Sequence, residues 1–225
     1  MRKAELTSTL EGVPRHPEPR PELEQYRTPA PIAAELLWLM RDVGDLPARG
    51  APTPARLLDL GCGTGMFAIG GALLGAHVLG VDVDEESIDL ARGAAEATGT
   101  APSITWEAAD LRSWHPDPGA FDVAVMNPPF GAQKGNRHGD RLFYERAMEA
   151  LWPGGACWFL APPRGERFLH AFLAERGCRV QKVGQWDYPL EAQFAFHEKE
   201  ARVIQVGGYR FTTPPRTPPT TPAGA

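Results

Sequence analysis

Short apolar runs alternate with amphipathic segments along most of this chain. Strands are predicted where an apolar run of five or six residues ends at glycine or aspartate, as in RLLDL at 56–60 and HVLGVD at 77–82. Helices are predicted where apolar residues recur every three or four positions, as at 85–97. The predicted helices cover 31–43, 66–75, 85–97, 140–151 and 165–176, and the predicted strands cover 56–60, 77–82, 104–109, 121–126, 156–161, 179–187 and 201–211.

Strands separated by helices of this length indicate a parallel sheet with helices on both faces. The strands at 179–187 and 201–211 have no helical pattern between them, so we expect an antiparallel pair at one edge. The sequence therefore predicts an α/β, Rossmann-like fold with a seven-stranded, mostly parallel sheet whose last strand is antiparallel.

The two ends of the chain differ in composition from the middle. Residues 11–22 mix proline with charge, and residues 212–225 are nearly all Pro, Thr, Gly and Ala. Such segments bury too little apolar surface to offset their ordering entropy. We expect disorder at 1–22, a single folded domain at 23–211 and a disordered Pro/Thr-rich tail at 212–225. The alternative for the tail is a ligand for a proline-binding module.

Composition excludes several classes of protein. The net charge of -5 argues against holding nucleic acid by bulk charge, although a local basic patch is compatible with it. The three cysteines have no paired spacing, which predicts neither a metal site nor a disulfide framework. No apolar run resembles a secretory signal or spans a membrane, so we expect a cytoplasmic protein.

The segment DLGCGTG at 59–65 follows the first strand and opens a helix. Its glycines permit a close backbone approach to a ligand, which in open α/β sheets lies beyond the carboxyl ends of the strands. The pattern is G-x-G-x-G rather than the G-x-G-x-x-G of dinucleotide sites. Asp59 would repel a pyrophosphate but could accept from an ammonium group, which favours S-adenosylmethionine as the cofactor.

Two further acidic residues stand at strand ends. Asp82 ends the second strand and is predicted to accept both ribose hydroxyls. Asp110 follows the third strand and is predicted to accept the adenine amino group, while Leu111 covers the ring. Each aspartate alone is also compatible with a helix cap or a solvated loop.

The segment NPPF at 127–130 ends the fourth strand. The Asn127 side-chain oxygen and the Pro128 carbonyl can each accept one hydrogen of a planar amine, which stabilises the positive charge that develops on its nitrogen. Pro128 and Pro129 stiffen the turn, and Phe130 offers a face on which a base can stack. The alternative is a rigid strand-ending turn with Phe130 in the core.

The polar loop at 131–141 follows this turn. Its residues Lys134, Arg137, His138 and Arg141 could hold phosphates. An ordinary solvated loop is the alternative.

With these motifs the chain resembles the methyltransferase-like protein 5 family of ribosomal RNA adenine-N6 methyltransferases. The resemblance is carried by LEQYRT at 23–28, DLGCGTG with the following IGGALLGA, GVDVDE, MNPPFG, and FAFHEKE at 194–200. It implies a catalytic motif of Asn127, Pro128, Pro129 and Phe130, and cofactor contacts from Gln25, Thr28, Gly61, Thr64, Met66, Asp82, Asp110 and Leu111, to which the glycine turn adds Asp59 and Gly63. It also implies a structured RNA substrate and a small zinc-binding activator protein that pairs with a strand edge.

Other substrates fit the same turn. Adenine in DNA and a glutamine amide in a protein also present a planar nitrogen, although Phe130 in place of tyrosine favours adenine. A non-catalytic assembly factor that binds S-adenosylmethionine is the alternative outside enzymes. Family members are often basic after the Phe-His pair, whereas Glu198-Lys199-Glu200 follows His197 here, which weakens a role of this loop in gripping RNA.

Overall fold

The computed structural model describes residues 1–47, 50–130, 139–190 and 202–215. Its strands are β1 (Arg56–Leu60), β2 (His77–Asp82), β3 (Ile104–Ala108), β4 (Phe121–Met126), β5 (Leu151–Ala161), β6 (Arg179–Leu190) and β7 (Arg202–Thr212). Its helices are α1 (Lys3–Glu11), α2 (Ala30–Asp42), α3 (Met66–Leu73), α4 (Glu85–Ala97), α5 (Gly139–Ala150) and α6 (Glu166–Ala174). Short 3₁₀ turns occur at Pro21–Leu23, Ala101–Ser103 and Pro163–Gly165.

All seven strands form one sheet in the order β3-β2-β1-β4-β5-β7-β6. Neighbours from β3 to β5 are parallel, and β7 is antiparallel to both β5 and β6. The predicted fold, with its antiparallel pair at one edge, is confirmed. Leu60 at the end of β1 is in register with Val81 and Met126, so the turns that follow β1, β2 and β4 lie side by side.

Alternate residues of the central strands face two separate apolar clusters. Leu57 and Val125 pack into the cluster that includes α1, α2 and α3, while Leu58 and Met126 pack into the one that includes α5 and α6. This alternation follows from the two-residue period of a strand. Asn127 follows Met126, so by alternation it faces the side on which the N-terminal helices lie.

Strand β5 begins earlier than the sequence pattern predicts. Leu151 already pairs with Phe121, and the register shifts between Phe121 and Val123. The segment at 153–155, which precedes the predicted strand, is therefore an irregularity within β5, at which Gly154 takes a φ of 89°. An irregularity of this kind lets a strand bend without leaving the sheet.

The prediction that residues 1–22 are disordered is wrong. Helix α1 buries Leu6 and Leu10, and the buried Val13 continues the same cluster against α2 and α3. The two leucines lie about one helical turn apart, so they share one buried face of α1. The composition of 11–22, rich in proline and charge, gives no indication of this helix. Residues 216–225 of the predicted tail lie outside the described residues. Within the described ranges, no helix is long and apolar enough to cross a membrane.

Candidate functional site

The glycine-rich turn joins β1 to α3 through left-handed backbone steps. Gly61, Gly63 and Gly65 have φ angles of 68°, 50° and 93°, which glycine adopts without steric cost. A Cβ on Gly65 would lie 2.9 Å from the Trp106 ring, so this position also lacks space for a side chain. The turn thus brings bare backbone to the edge of the sheet.

A pocket of about 390 Å³ opens beside this turn. It lies beyond the carboxyl ends of β1, β2 and β4, where ligands of open α/β sheets bind. The predicted site residues that line it are Gln25, Thr28, Gly61, Gly63, Thr64, Met66, Asp82, Asp110, Leu111, Asn127 and Pro129. The predicted site residues Asp59, Pro128 and Phe130 lie outside its wall.

Asp82 at the end of β2 holds the glycine turn in place. Its carboxylate accepts the Gly63 N–H at 2.7 Å and the Asp84 N–H at 2.9 Å. Burial raises the pKa of Asp82 to about 6, against the lowering effect of backbone hydrogen bonds from Gly63 and Val83. The group is thus a partly buried acceptor at the pocket wall with lone pairs left for a ligand.

Asp110 and Leu111 follow β3 and also line the pocket. The Asp110 carboxylate accepts from the Arg112 backbone N–H at 2.9 Å and from its Nε at 2.9 and 3.0 Å. These hydrogen bonds hold the pKa of Asp110 below its ordinary value. An amine bound here must share the carboxylate with Arg112.

Asp59 does not occupy the position that the sequence predicts for it. Its side chain is buried on the α3 side of β1, where Oδ2 accepts the Ala68 N–H at 2.8 Å and Oδ1 has no partner among the described residues. Burial raises the pKa of Asp59 to about 8. The strand alternation directs this carboxyl group toward α3 rather than into the pocket, so its contribution to the site is support of the turn.

The segment between α1 and α2 crosses the pocket and is fixed by a buried carboxylate. Asp84 is almost fully buried; it forms an ion pair with Arg20 and accepts from Gln25 Nε2 at 2.7 Å. The Thr64 hydroxyl donates to the Pro14 carbonyl at 2.7 Å, which ties the same segment to the glycine turn. Arg20, which lies in the proline- and charge-rich segment expected to be solvated, is therefore paired with a buried carboxylate of the folded domain.

The nitrogen of the Asn127 carboxamide is hydrogen-bonded, whereas its oxygen is not, within the described residues. Its Nδ2 donates to Thr28 Oγ1 and to the Tyr188 hydroxyl, each at 3.1 Å. Its Oδ1 is buried and has no hydrogen-bond partner among the described residues. Since buried polar atoms are nearly always paired, an orphaned acceptor at a pocket wall indicates a ligand donor.

Tyr188 in β6 is a site residue that the sequence does not indicate. It is fully buried, contacts Asn127, and packs against Phe130 in an edge-to-face geometry with ring centroids 6.0 Å apart. Pro128 is buried, and the Phe130 carbonyl accepts from Arg164 at 3.2 Å. No local sequence pattern distinguishes a site tyrosine in an apolar strand from an ordinary core tyrosine. Only the contacts of Tyr188 in the folded protein indicate its place in the site.

Several predicted contacts lie outside the described residues. These are Lys134, Arg137 and His138 of the loop after the turn, and the segment at 194–200. Arg141 is described: its guanidinium stands 4.9 Å from the centroid of the Phe172 ring.

Comparison with known proteins gives relatives over almost the whole chain. A family model described as a methyltransferase domain matches residues 57–155. The chain is 32% identical over 215 residues to the rRNA N(6)-adenosine-methyltransferase METTL5 of Danio rerio, covering 94% of this chain and 99% of that protein. It is 30% identical to the rRNA N(6)-adenosine-methyltransferase Mettl5 of Drosophila melanogaster, covering 92% and 94%. The crystal structure of PH1948 from Pyrococcus horikoshii aligns with a TM-score of 0.80 at 33% identity, covering 95% of this chain and 98% of that one.

Proposed function

We infer the function of this chain from its family: the chain belongs to the METTL5 family, and it is a methyltransferase. We propose that it methylates the N6 amine of an adenine in ribosomal RNA and that its methyl donor is S-adenosylmethionine. The substrate class is suggested by the names of the Danio and Drosophila relatives. The observation that supports an amine substrate is the buried Oδ1 of Asn127, a residue of the pocket wall, which has no hydrogen-bond partner in the described part of the chain.

The residues of the pocket fit this donor better than a phosphorylated cofactor. The N–H groups of Gly61 and Cys62 already donate to the Val81 carbonyl, and that of Gly63 donates to Asp82. A phosphate would need those donors free. Asp82 instead offers an acceptor to hydroxyl groups, and Leu111 offers an apolar surface to a ring. When bound, S-adenosylmethionine supplies an electrophilic methyl group on a sulfonium centre.

The proposed role of Asn127 is to hold the target amine during transfer. An adenine amine has its lone pair conjugated with the ring, and it becomes nucleophilic only as the nitrogen turns tetrahedral. Oδ1 of Asn127 accepts one amine hydrogen and the Pro128 carbonyl accepts the other, which favours that geometry and the positive charge that follows. The proton leaves readily once the nitrogen is charged, so no general base is assigned.

The proposed role of the two prolines and Phe130 is to present the base. Pro128 and Pro129 fix the φ angles of the turn, so little conformational entropy remains to be lost on binding. Phe130 packs edge-to-face on Tyr188, and its proposed role is to stack on the base that carries the amine. A base held in a duplex must be flipped out or presented unpaired to reach such a site.

We propose that RNA approaches over the ends of β4 and β5. Arg164 follows β5, is exposed, and donates to the Phe130 carbonyl. Arg141 at the start of α5 and the exposed Phe168 of α6 stand on the same side, 6.0 Å apart from guanidinium carbon to ring centroid. Arginines beside an exposed ring suit phosphates and unpaired bases. We also propose that a small activator protein pairs with an edge strand of the sheet, for which β3 and β6 are the candidates.

The test is transfer of label from S-adenosylmethionine with total RNA, DNA and protein separated afterwards. We expect label in ribosomal RNA that digests to N6-methyladenosine, and a strong decrease in that label with Asn127→Ala. Label confined to protein would contradict the RNA substrate in favour of an amide, and label in DNA would move the proposal to DNA adenine.

A further inference from the structure

Three segments that are distant in the chain meet at the Asn127 carboxamide. Thr28 lies 99 residues away and Tyr188 lies 61 residues away, yet both hydroxyl oxygens are 3.1 Å from Asn127 Nδ2. The Tyr188 hydroxyl also lies 3.5 Å from the Tyr26 carbonyl, to which it donates. Thr28 and Tyr188 are buried, so their hydroxyl protons must find acceptors within this network.

The Tyr26 carbonyl settles the direction of these protons. A carbonyl can only accept, so the Tyr188 O–H donates to it. The Tyr188 oxygen must then accept from its other neighbours, among them the N–H of Asn127. Burial raises the pKa of Tyr188, so its proton stays in place at neutral pH.

Thr28 alone does not orient the carboxamide. A threonine hydroxyl can accept from the Asn127 NH₂ group or, rotated, donate to the Asn127 oxygen. With Tyr188 present, the NH₂ group has an acceptor that cannot reverse its role. Without it, the flipped carboxamide becomes accessible, and that orientation would present N–H groups to an amine that needs an acceptor.

We propose that Tyr188 is a positioning residue that fixes Oδ1 of Asn127 toward the target amine by holding its NH₂ group. This inference rests on the proposed function, since it deepens the role of the same turn. Tyr188 also supports Phe130 through the edge-to-face contact, so one buried side chain orients both the acceptor and the aromatic ring.

The first test compares Tyr188→Phe with Tyr209→Phe. Tyr188→Phe keeps the ring and its contact with Phe130 and removes only the hydroxyl. Tyr209 in β7 is equally buried, and its hydroxyl donates to Glu166 Oε2 at 3.0 Å, away from the pocket. We expect Tyr188→Phe to lower the single-turnover transfer rate by about five- to tenfold, the value of one internal hydrogen bond. The dissociation constant of S-adenosylmethionine and the KM for RNA should stay unchanged, and Tyr209→Phe should transfer at the wild-type rate.

A double-mutant comparison separates positioning from general support. In an Asn127→Ala background the carboxamide is absent, so Tyr188→Phe should cause no further loss of transfer. The same five- to tenfold loss in that background would show that Tyr188 acts independently of Asn127 and would overturn the inference.

A readout that needs no substrate comes from the scarcity of asparagine. The chain contains asparagine only at positions 127 and 136, so protein labelled with ¹⁵N-asparagine gives two carboxamide signals, and Asn127→Ala assigns them. We expect the Asn127 NH₂ protons to be protected from exchange in the wild type, and one of them to lose protection in Tyr188→Phe but not in Tyr209→Phe. Unchanged signals in Tyr188→Phe would overturn the positioning role. A wild-type protein that shows the expected signals but does not methylate RNA would instead refute the proposed function.

Discussion

Asn127→Ala is the perturbation that the site predicts most directly. The substitution removes the buried acceptor Oδ1 and the NH₂ group that donates to Thr28 and Tyr188. It leaves the pocket wall formed by Gly61 and Asp82 intact. We therefore expect a loss of methyl transfer with little change in cofactor affinity.

The magnitude follows from one hydrogen bond to a nitrogen that becomes charged. Such a bond is worth about 1.5–3 kcal/mol, which corresponds to a rate loss of about 10- to 150-fold. Some transfer should remain, because the Pro128 carbonyl and the Phe130 ring are still present. The fold should lose only about 1 kcal/mol, the net value of one hydrogen bond, since the Tyr188 hydroxyl still donates to the Tyr26 carbonyl.

The assay is single-turnover transfer from labelled S-adenosylmethionine to RNA from a strain that lacks this gene, with cofactor binding measured by calorimetry. Gln185→Ala is the matched control, because its exposed side-chain amide in β6 is hydrogen-bonded to Gln205 away from the pocket. Equal transfer by Asn127→Ala and wild type would refute the role of the carboxamide. Loss of cofactor binding in the same variant would show that Asn127 shapes the pocket rather than the chemistry.

Three further outcomes are expected. Asp82→Ala should weaken S-adenosylmethionine binding by about 10- to 100-fold in calorimetry, since it removes a ribose acceptor and the support of the glycine turn; an unchanged dissociation constant would contradict this. Burial raises the pKa of Asp59 from 3.8 to about 8. Between pH 5 and 8 the folded state therefore retains a proton that the unfolded chain has released. The free energy of unfolding of the wild type should fall over this range by up to about 1.4 kcal/mol per pH unit. Asp59→Asn should flatten that dependence in urea unfolding, and an equally steep curve would show that the group does not titrate as inferred. Arg164→Ala should raise the KM for RNA about threefold or more at low salt and leave cofactor binding unchanged, while Arg92→Ala on the exposed face of α4 should change neither.

Much of the fold could be read from local pattern. The strands at 56–60, 77–82 and 121–126 and the helix at 85–97 have the predicted bounds, because apolar periodicity and the residues that end each run act over a few positions. The same local patterns predicted that Asp82, Asp110 and Asn127 lie at strand ends. A parallel sheet then gathers strand ends at one edge, so the pocket could be anticipated without coordinates.

What the sequence by itself determined was therefore the set of elements, their order and the chemistry at their ends. Only the tertiary structure decided that α1 packs on the domain, that Asp59 faces α3, and that Tyr188 holds Asn127. Each of these depends on which side of a strand a residue faces and on what packs against it from a distant segment. Such contacts join residues that are far apart in the chain, so no local sequence pattern encodes them. They form only when the strands and helices have packed together.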